Sequence, residues 1–224
     1  MKKKSGKVAP RKSARGEAST GSRESLLRAA EAVIVTDGVG AVTIRRVAGD
    51  AGVSISLIAY HFGSVDDLVA EVMNLNLDAV IQAQKVLTAS ADMSSLSSIM
   101  EAYLRPLWCP AAFNPRSRAA LIIQDIYRRA PAKMRARADA RLEESFLPLT
   151  RAMQKHLSHL DRAEVVWRLC ALAGMVLSMS QEAPSWRLFH GITTLEHFGE
   201  PDSDYARMLD FALTLLMAPQ AKQR

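Results

Sequence analysis

At 224 residues, 49% of them hydrophobic and only 6% aromatic, the chain is long enough to bury a sizeable core and too apolar to be disordered throughout. Its longest apolar run, the 11 residues from Leu169 to Met179, falls short of the roughly 20 needed to cross a bilayer, and its basic start lacks the apolar stretch of an export signal, so a cytoplasmic protein is expected. Cys109 and Cys170 are too few and too far apart for a disulfide framework or a paired-cysteine metal site, and no cofactor or metal is expected.

The net charge of +6 has a location. Residues 1–21 hold Lys2, Lys3, Lys4, Lys7, Arg11, Lys12 and Arg15 against Glu17 alone, which accounts for all of it. Rich in Lys, Ser, Gly and Ala, this stretch has too little apolar surface to offset its ordering entropy and reads as a disordered basic tail. It is either a solvated leader or an arm that strengthens binding to a polyanion. Ser22 and Glu24 then open a helix with Leu26, Leu27, Ala30, Val33 and Ile34 on one stripe, ending in the turn from Asp37 to Gly40.

The stretch from Thr43 to Phe62 reads as two short helices joined by a tight turn. Thr43 is a good N-cap, and Ile44, Val47, Ala48 and Ala51 recur at helical spacing. Gly52 falls where the chain must leave the helix, a position that favours a residue free to take positive φ. Ser54 is placed to cap a second helix, whose Leu57, Ile58 and Phe62 are apolar. Ala48 and Ala51 are small enough to let the two helices cross closely, as in a helix-turn-helix, whose second helix enters the major groove of DNA.

The residues that carry this pattern are Thr43, Arg45, Val47, Ala48, Ala51, Gly52, Val53, Ser54, Tyr60, His61, Phe62, Gly63 and Ser64. Together they resemble the TetR family of transcriptional regulators, over roughly residues 22–75. The resemblance implies a DNA-binding regulator, a repressor released from a palindromic operator by a small-molecule effector, acting as a homodimer built on its last two long helices. It implies that Thr43, Arg45, Ser54, Tyr60 and His61 contact phosphates or support such contacts, that Ile55, Ser56 and Leu57 face base edges, and that Arg46 and Ala59 belong to the same surface. The sequence departs from the family at Ala59, where an aromatic residue is common, and at Val65, where a Lys touching phosphate is common. Readout by Ile55 and Leu57 would lean on thymine methyl groups.

Ser64 to Asp67 gives a capping signature for a long helix reaching about residue 89. Five further helices are expected, at about 94–108, 116–129, 132–158, 162–182 and 203–217, with Asp161 and Glu164 capping the fourth. Pro148 lies inside the third and is expected to kink or split it. Pro184, Gly191, Gly199 and Pro201 bracket a loosely structured connection. The expected architecture is all-α: a tail (1–21), a three-helix DNA-binding domain (22–64), a helical effector-binding and dimerisation domain (65–218) and a short C-terminal tail (219–224). Small and apolar residues mark Ala171, Gly174 and Ser178, with Met208, Leu209, Ala212 and Leu216, as the candidate dimer interface.

No catalytic constellation stands out, and the chain is not expected to be an enzyme. The glycines of residues 16–23 have phosphate-loop spacing but no lysine and no preceding strand. His156 and His159 lack further ligands at metal spacing and read as surface or cap residues. Trp108, Phe113, Ile122, Tyr127, Phe146, Met153 and Trp167 are the candidate lining of an effector pocket, although aromatic and Met residues at such spacing ordinarily form core. The basic run from Arg116 to Arg141 reads as a solvated face. The alternative function is a helical small-molecule-binding protein or enzyme that keeps the helix-turn-helix only as scaffold.

Overall fold

The computed structural model of the protein describes residues 12–178 and 201–220, with side chains from 21 to 177 and from 205 to 220. The helices are α1 (Lys12–Asp37), α2 (Ile44–Asp50), α3 (Ser56–Phe62), α4 (Val65–Ser90), α5 (Leu96–Leu104), α6 (Ala119–Arg129), α7 (Ala132–His156), α8 (Arg162–Ser178) and α9 (Pro201–Met217). Among the described residues there is no strand, only one antiparallel bridge between Pro110 and Arg118. The fold is all-α. Two compact units divide it, Met1–Met73 and Asn74–Arg224, and the division falls within α4.

In the first unit α1 buries Leu26, Leu27, Ala30, Val33 and Ile34, the expected stripe, against α2 and α3. It begins at Lys12, not Ser22, so residues 12–21 are helical rather than tail; extending a formed helix costs far less than nucleating one, and Lys, Ala, Arg and Glu are good formers. Residues 1–11 lie outside the described residues.

In the second unit, Ile99, Met100 and Leu104 of α5 pack with Leu149 and Met153 of α7, Val165, Leu169, Leu172 and Val176 of α8, and Met208, Ala212 and Leu216 of α9. Pro106 turns the expected 94–108 helix into a short 3-10 segment over Arg105–Trp108. Pro148 does not split α7, which runs through it unbroken in extent from Ala132 to His156. The Asp161 cap forms, with Glu164 N–H donating to Asp161 Oδ1 at 2.8 Å. The expected connection around Pro184 and Gly191 lies outside the described residues.

The free end of α9 is held by one buried guanidinium. Arg168 of α8 donates to the carbonyls of Leu215 (2.8 Å), Leu216 (3.1 Å), Ala218 (2.6 Å) and Pro219 (3.3 Å), and its Nε to Glu164 at 2.7 Å. A helix ends with carbonyls that have no partner of their own, and a cation there also complements the helix dipole. Arg168→Met keeps the apolar stem but strands those carbonyls, and is expected to lower stability by about 2–3 kcal/mol in thermal or urea unfolding. An unchanged midpoint would show that the last turn of α9 needs no such anchor.

Candidate nucleic-acid interface

The turn between α2 and α3 is built from backbone hydrogen bonds that only this local sequence permits. Gly52 N–H reaches the Gly49 carbonyl at 3.1 Å and Val53 N–H reaches back to Ala48 at 3.0 Å, the paired bonds of a Schellman ending. Gly52 holds φ at +66°, where a Cβ would strain the backbone although no atom lies in its way. At the other end of α2, Thr43 Oγ1 accepts from Arg46 N–H at 3.3 Å. The next corner is set by Gly63, at φ +85°, and by Ser64, whose Oγ caps Asp67 N–H at 3.1 Å and donates to the Asp67 carboxylate at 2.6 Å.

Ile58 is buried on the inner side of α3, which leaves Ser56, Ala59, Tyr60 and Gly63 exposed at positions i, i+3, i+4 and i+7, a single outward stripe. Ile55, 51% exposed, precedes it, and Tyr60 stands out at 74%. Leu57 is half-buried beside this stripe rather than on it. Ile44, expected on the inner face of α2, is exposed, because the first residue after the cap precedes the turn that buries Val47 and Ala48. Ser54 does not cap α3. The helix starts at Ser56 after a tighter first turn, with Leu57 N–H on Ser54 O at 3.1 Å, and Ser54 Oγ pairs with Ser56 Oγ at 2.9 Å.

The charges of this surface are unequal in availability. Arg46 is held by Asp37 and lies 3.8 Å from Asp50, and the Arg46 hydrogen bond, followed by that of Thr36, keeps the Asp37 carboxyl below its usual range. Arg45 is exposed and makes no ion pair among the described residues, which leaves it the better placed of the two for a phosphate. His61 is half-buried, shares a hydrogen bond with Ser22 Oγ at 2.9 Å, and lies edge-on to the Tyr60 ring at 4.9 Å. Arg23 of α1 stacks over Phe62 at 5.2 Å and pairs with Glu71 at 2.7 Å. His61 and Phe62 therefore lock α3 to α1 and α4, and Tyr60 projects from that support. The anchors Ser22 and Arg23 carry no signal in a single sequence, being two more polar residues at a helix start.

Residues 26–72 match the family model described as bacterial regulatory proteins, tetR family. Over this stretch the chain carries an N-terminal domain of the tetR type. No curated protein matches it in sequence. Its fold is similar to that of a TetR-family regulator from Bordetella parapertussis 12822, at 14% identity over 89% of this chain and 98% of the other, with a TM-score of 0.64. A tetR-family regulatory protein from Rhodococcus RHA1 gives 17% identity, the same two coverages and 0.63. The regulator PfmR from Thermus thermophilus gives 17% identity over 89% and 99%, and 0.57.

The seven residues expected to line a pocket lie in different surroundings. Ile122 and Met153 are buried core, and Trp108 packs between Tyr205 (ring centroids 5.4 Å apart) and the Arg118 guanidinium (4.6 Å). Phe146 packs edge-on against Tyr103 at 5.5 Å, and Tyr127 donates to Asp139 at 2.9 Å. Phe113 is half-buried, while Trp167 stands 67% exposed on α8. None of the seven lines the groove found between α4 and α7.

The expected dimer residues divide. Met208, Ala212 and Leu216 are buried within the protomer and cannot meet a partner; a single sequence does not distinguish the two apolar sides of α9. Leu209 is half-buried, Ala171 and Gly174 are exposed, and the Ser178 side chain lies outside the described residues. The exposed apolar side chains beside Ala171 and Gly174 are Val166 and Trp167 on α8 and Phe211 and Leu215 on α9. Along α8, residues 163, 166, 167, 170, 171 and 174 form one continuous exposed stripe.

Proposed function

We propose that this TetR-family regulator is a cytoplasmic, homodimeric repressor without enzymatic activity. Its α3 reads a palindromic operator, and a small-molecule effector bound in its helical body releases it. The observation that carries the DNA assignment is the exposed stripe of Ser56, Ala59 and Tyr60, presented on a helix that Ile58, His61 and Phe62 fix from behind. A dimer engages successive major grooves when its two reading helices stand about one helical turn, ~34 Å, apart. An effector that favours another spacing lowers affinity by its differential binding to the two states.

A neutral reading surface predicts a particular specificity. Ile55 and Ala59 offer methyl contacts to thymine, Ser56 a hydroxyl to either base, and Arg45 with Tyr60 the phosphate contacts that set register. Tyr60→Ala is expected to weaken binding to the upstream operator about tenfold while leaving the melting temperature unchanged, because the ring is exposed. The check is a gel-shift titration with and without random competitor DNA. Undiminished operator affinity in the folded variant would remove Tyr60 from the contact set.

Dimerisation is supported by the apolar stripe of α8 and its neighbours on α9. Monomers seldom leave Trp, Phe, Val and Leu side chains exposed on adjoining helices without a partner. An α8–α9 pair meeting its own copy across a two-fold axis forms a four-helix bundle, with Ala171 and Gly174 allowing close approach.

A further inference from the structure

A groove of about 430 Å³ opens between the second half of α4 and the middle of α7, within the second unit. Its wall includes Gln84, which is 1% exposed, an unusual place for a primary amide. Gln84 Nε2 donates to Thr88 Oγ1, one turn on, and Oε1 accepts from Ser145 Oγ of α7. An amide has two hydrogens to give and two lone pairs to receive. Among the described residues nothing takes the second Nε2 hydrogen, and nothing donates to the second lone pair of Oε1. Buried polar groups are nearly always paired, and half of the hydrogen-bonding capacity of this amide, on a residue that lines the groove, is unused.

Pro148 adds a second, independent acceptor. It lies inside α7 and has no N–H to give to the carbonyl four residues earlier, that of Glu144, and both residues line the groove. The charges around the wall balance. Arg141 is paired with Asp78, while Lys85 and Glu144, of opposite sign, make no ion pair among the described residues. On a wall of balanced charge, one spare donor beside spare acceptors suits a ligand group that accepts and donates at the same point, whereas a carboxylate only accepts and an ammonium only donates.

We propose that the α4–α7 groove binds a small uncharged molecule bearing a primary carboxamide. The ligand oxygen takes the spare Nε2 hydrogen of Gln84, and its NH2 group donates to Gln84 Oε1, the two-point pairing that an amide offers another amide. The volume suits a molecule at the small end of the usual ligand range. Regulation of DNA binding by such a molecule rests on the effector reading above, whereas binding itself does not.

The test uses the full chain and three probes of one shape: benzamide, benzoate and benzylamine. Saturation-transfer NMR, followed by titration, is expected to show benzamide bound and the two charged probes weaker by about tenfold or more. Gln84→Leu is expected to weaken benzamide by a similar factor. Ala89→Trp, which fills the groove from an exposed position on α4, should abolish binding, and it carries the test if Gln84→Leu does not fold. Absence of benzamide binding, equal binding of all three probes, or full binding by folded Ala89→Trp would each overturn the proposal. Benzamide that binds yet leaves operator affinity unaltered sustains the site and counts against effector release. Operator binding by a protein that ignores benzamide defeats this inference alone.

Discussion

Trp167→Glu is expected to convert the proposed dimer to a monomer at micromolar concentration and to weaken binding to a two-half-site operator by about 10²- to 10⁴-fold. The side chain is 67% exposed in the protomer, so a carboxylate there meets water and leaves the fold intact. In the proposed dimer the same position lies in the apolar stripe between Ala163 and Gly174, where each protomer would bury a charge facing an apolar partner. Aromatic anchors near the centre of an interface commonly carry most of its energy. The loss at the operator follows because the second reading helix no longer arrives tethered to the first. Sedimentation gives the mass, the melt confirms the fold, and a gel shift gives the affinity. A Trp167→Glu protein that sediments as the wild-type dimer would place the interface elsewhere.

The reading unit was legible from sequence because its geometry is enforced locally. Thr43, Gly52, Gly63 and Ser64 each do one thing to the backbone within a few residues, and a residue type that can do it is visible as such. The start of α3 was less so, since Ser54 is an equally good cap by type and loses to a tight turn set by how Ile58 seats in the core. Arg46 shows the same limit, because Asp37 is nine residues away and its claim on the guanidinium appears only when the turn between them closes. In the body, helices and their caps followed from periodicity, but the choice of inward side did not. Met208, Ala212 and Leu216 and the neighbouring Phe211 and Leu215 are alike in hydrophobicity, and only the position of α5 and α8 decides which are core. Bulk fills space wherever elements meet, so aromatic and Met residues do not mark a cavity by type, and the α4–α7 groove includes Gln84, Ser145 and Pro148 beside Ile81 and Ala89, a mixture that no single-sequence pattern singles out.

Replacing all seven Lys and Arg of residues 1–21 with Gln is expected to flatten the salt dependence of DNA binding. Those residues supply the whole net charge of +6, while on the reading unit Arg46 is already paired with acids. Each phosphate neutralised by a cation releases counterions and steepens log affinity against log salt by about 0.9, so full engagement of one arm adds about 6 to the slope and partial engagement 2 or 3. Gln substitution is preferable to truncation at Ser22, because α1 begins at Lys12 and removing residues 12–21 would also delete helix that precedes the Ser22 and Arg23 anchors. Gln has nearly the helix propensity of Lys and Arg, so the substitution alters charge and little else. Phosphate contacts carry no sequence information directly, and the loss should therefore fall on operator and random DNA by similar factors, leaving their ratio nearly intact. Salt titrations of both proteins on both DNAs measure this. Superimposable slopes would make the basic stretch a solvated leader, and a collapse of the ratio would show that it reads sequence.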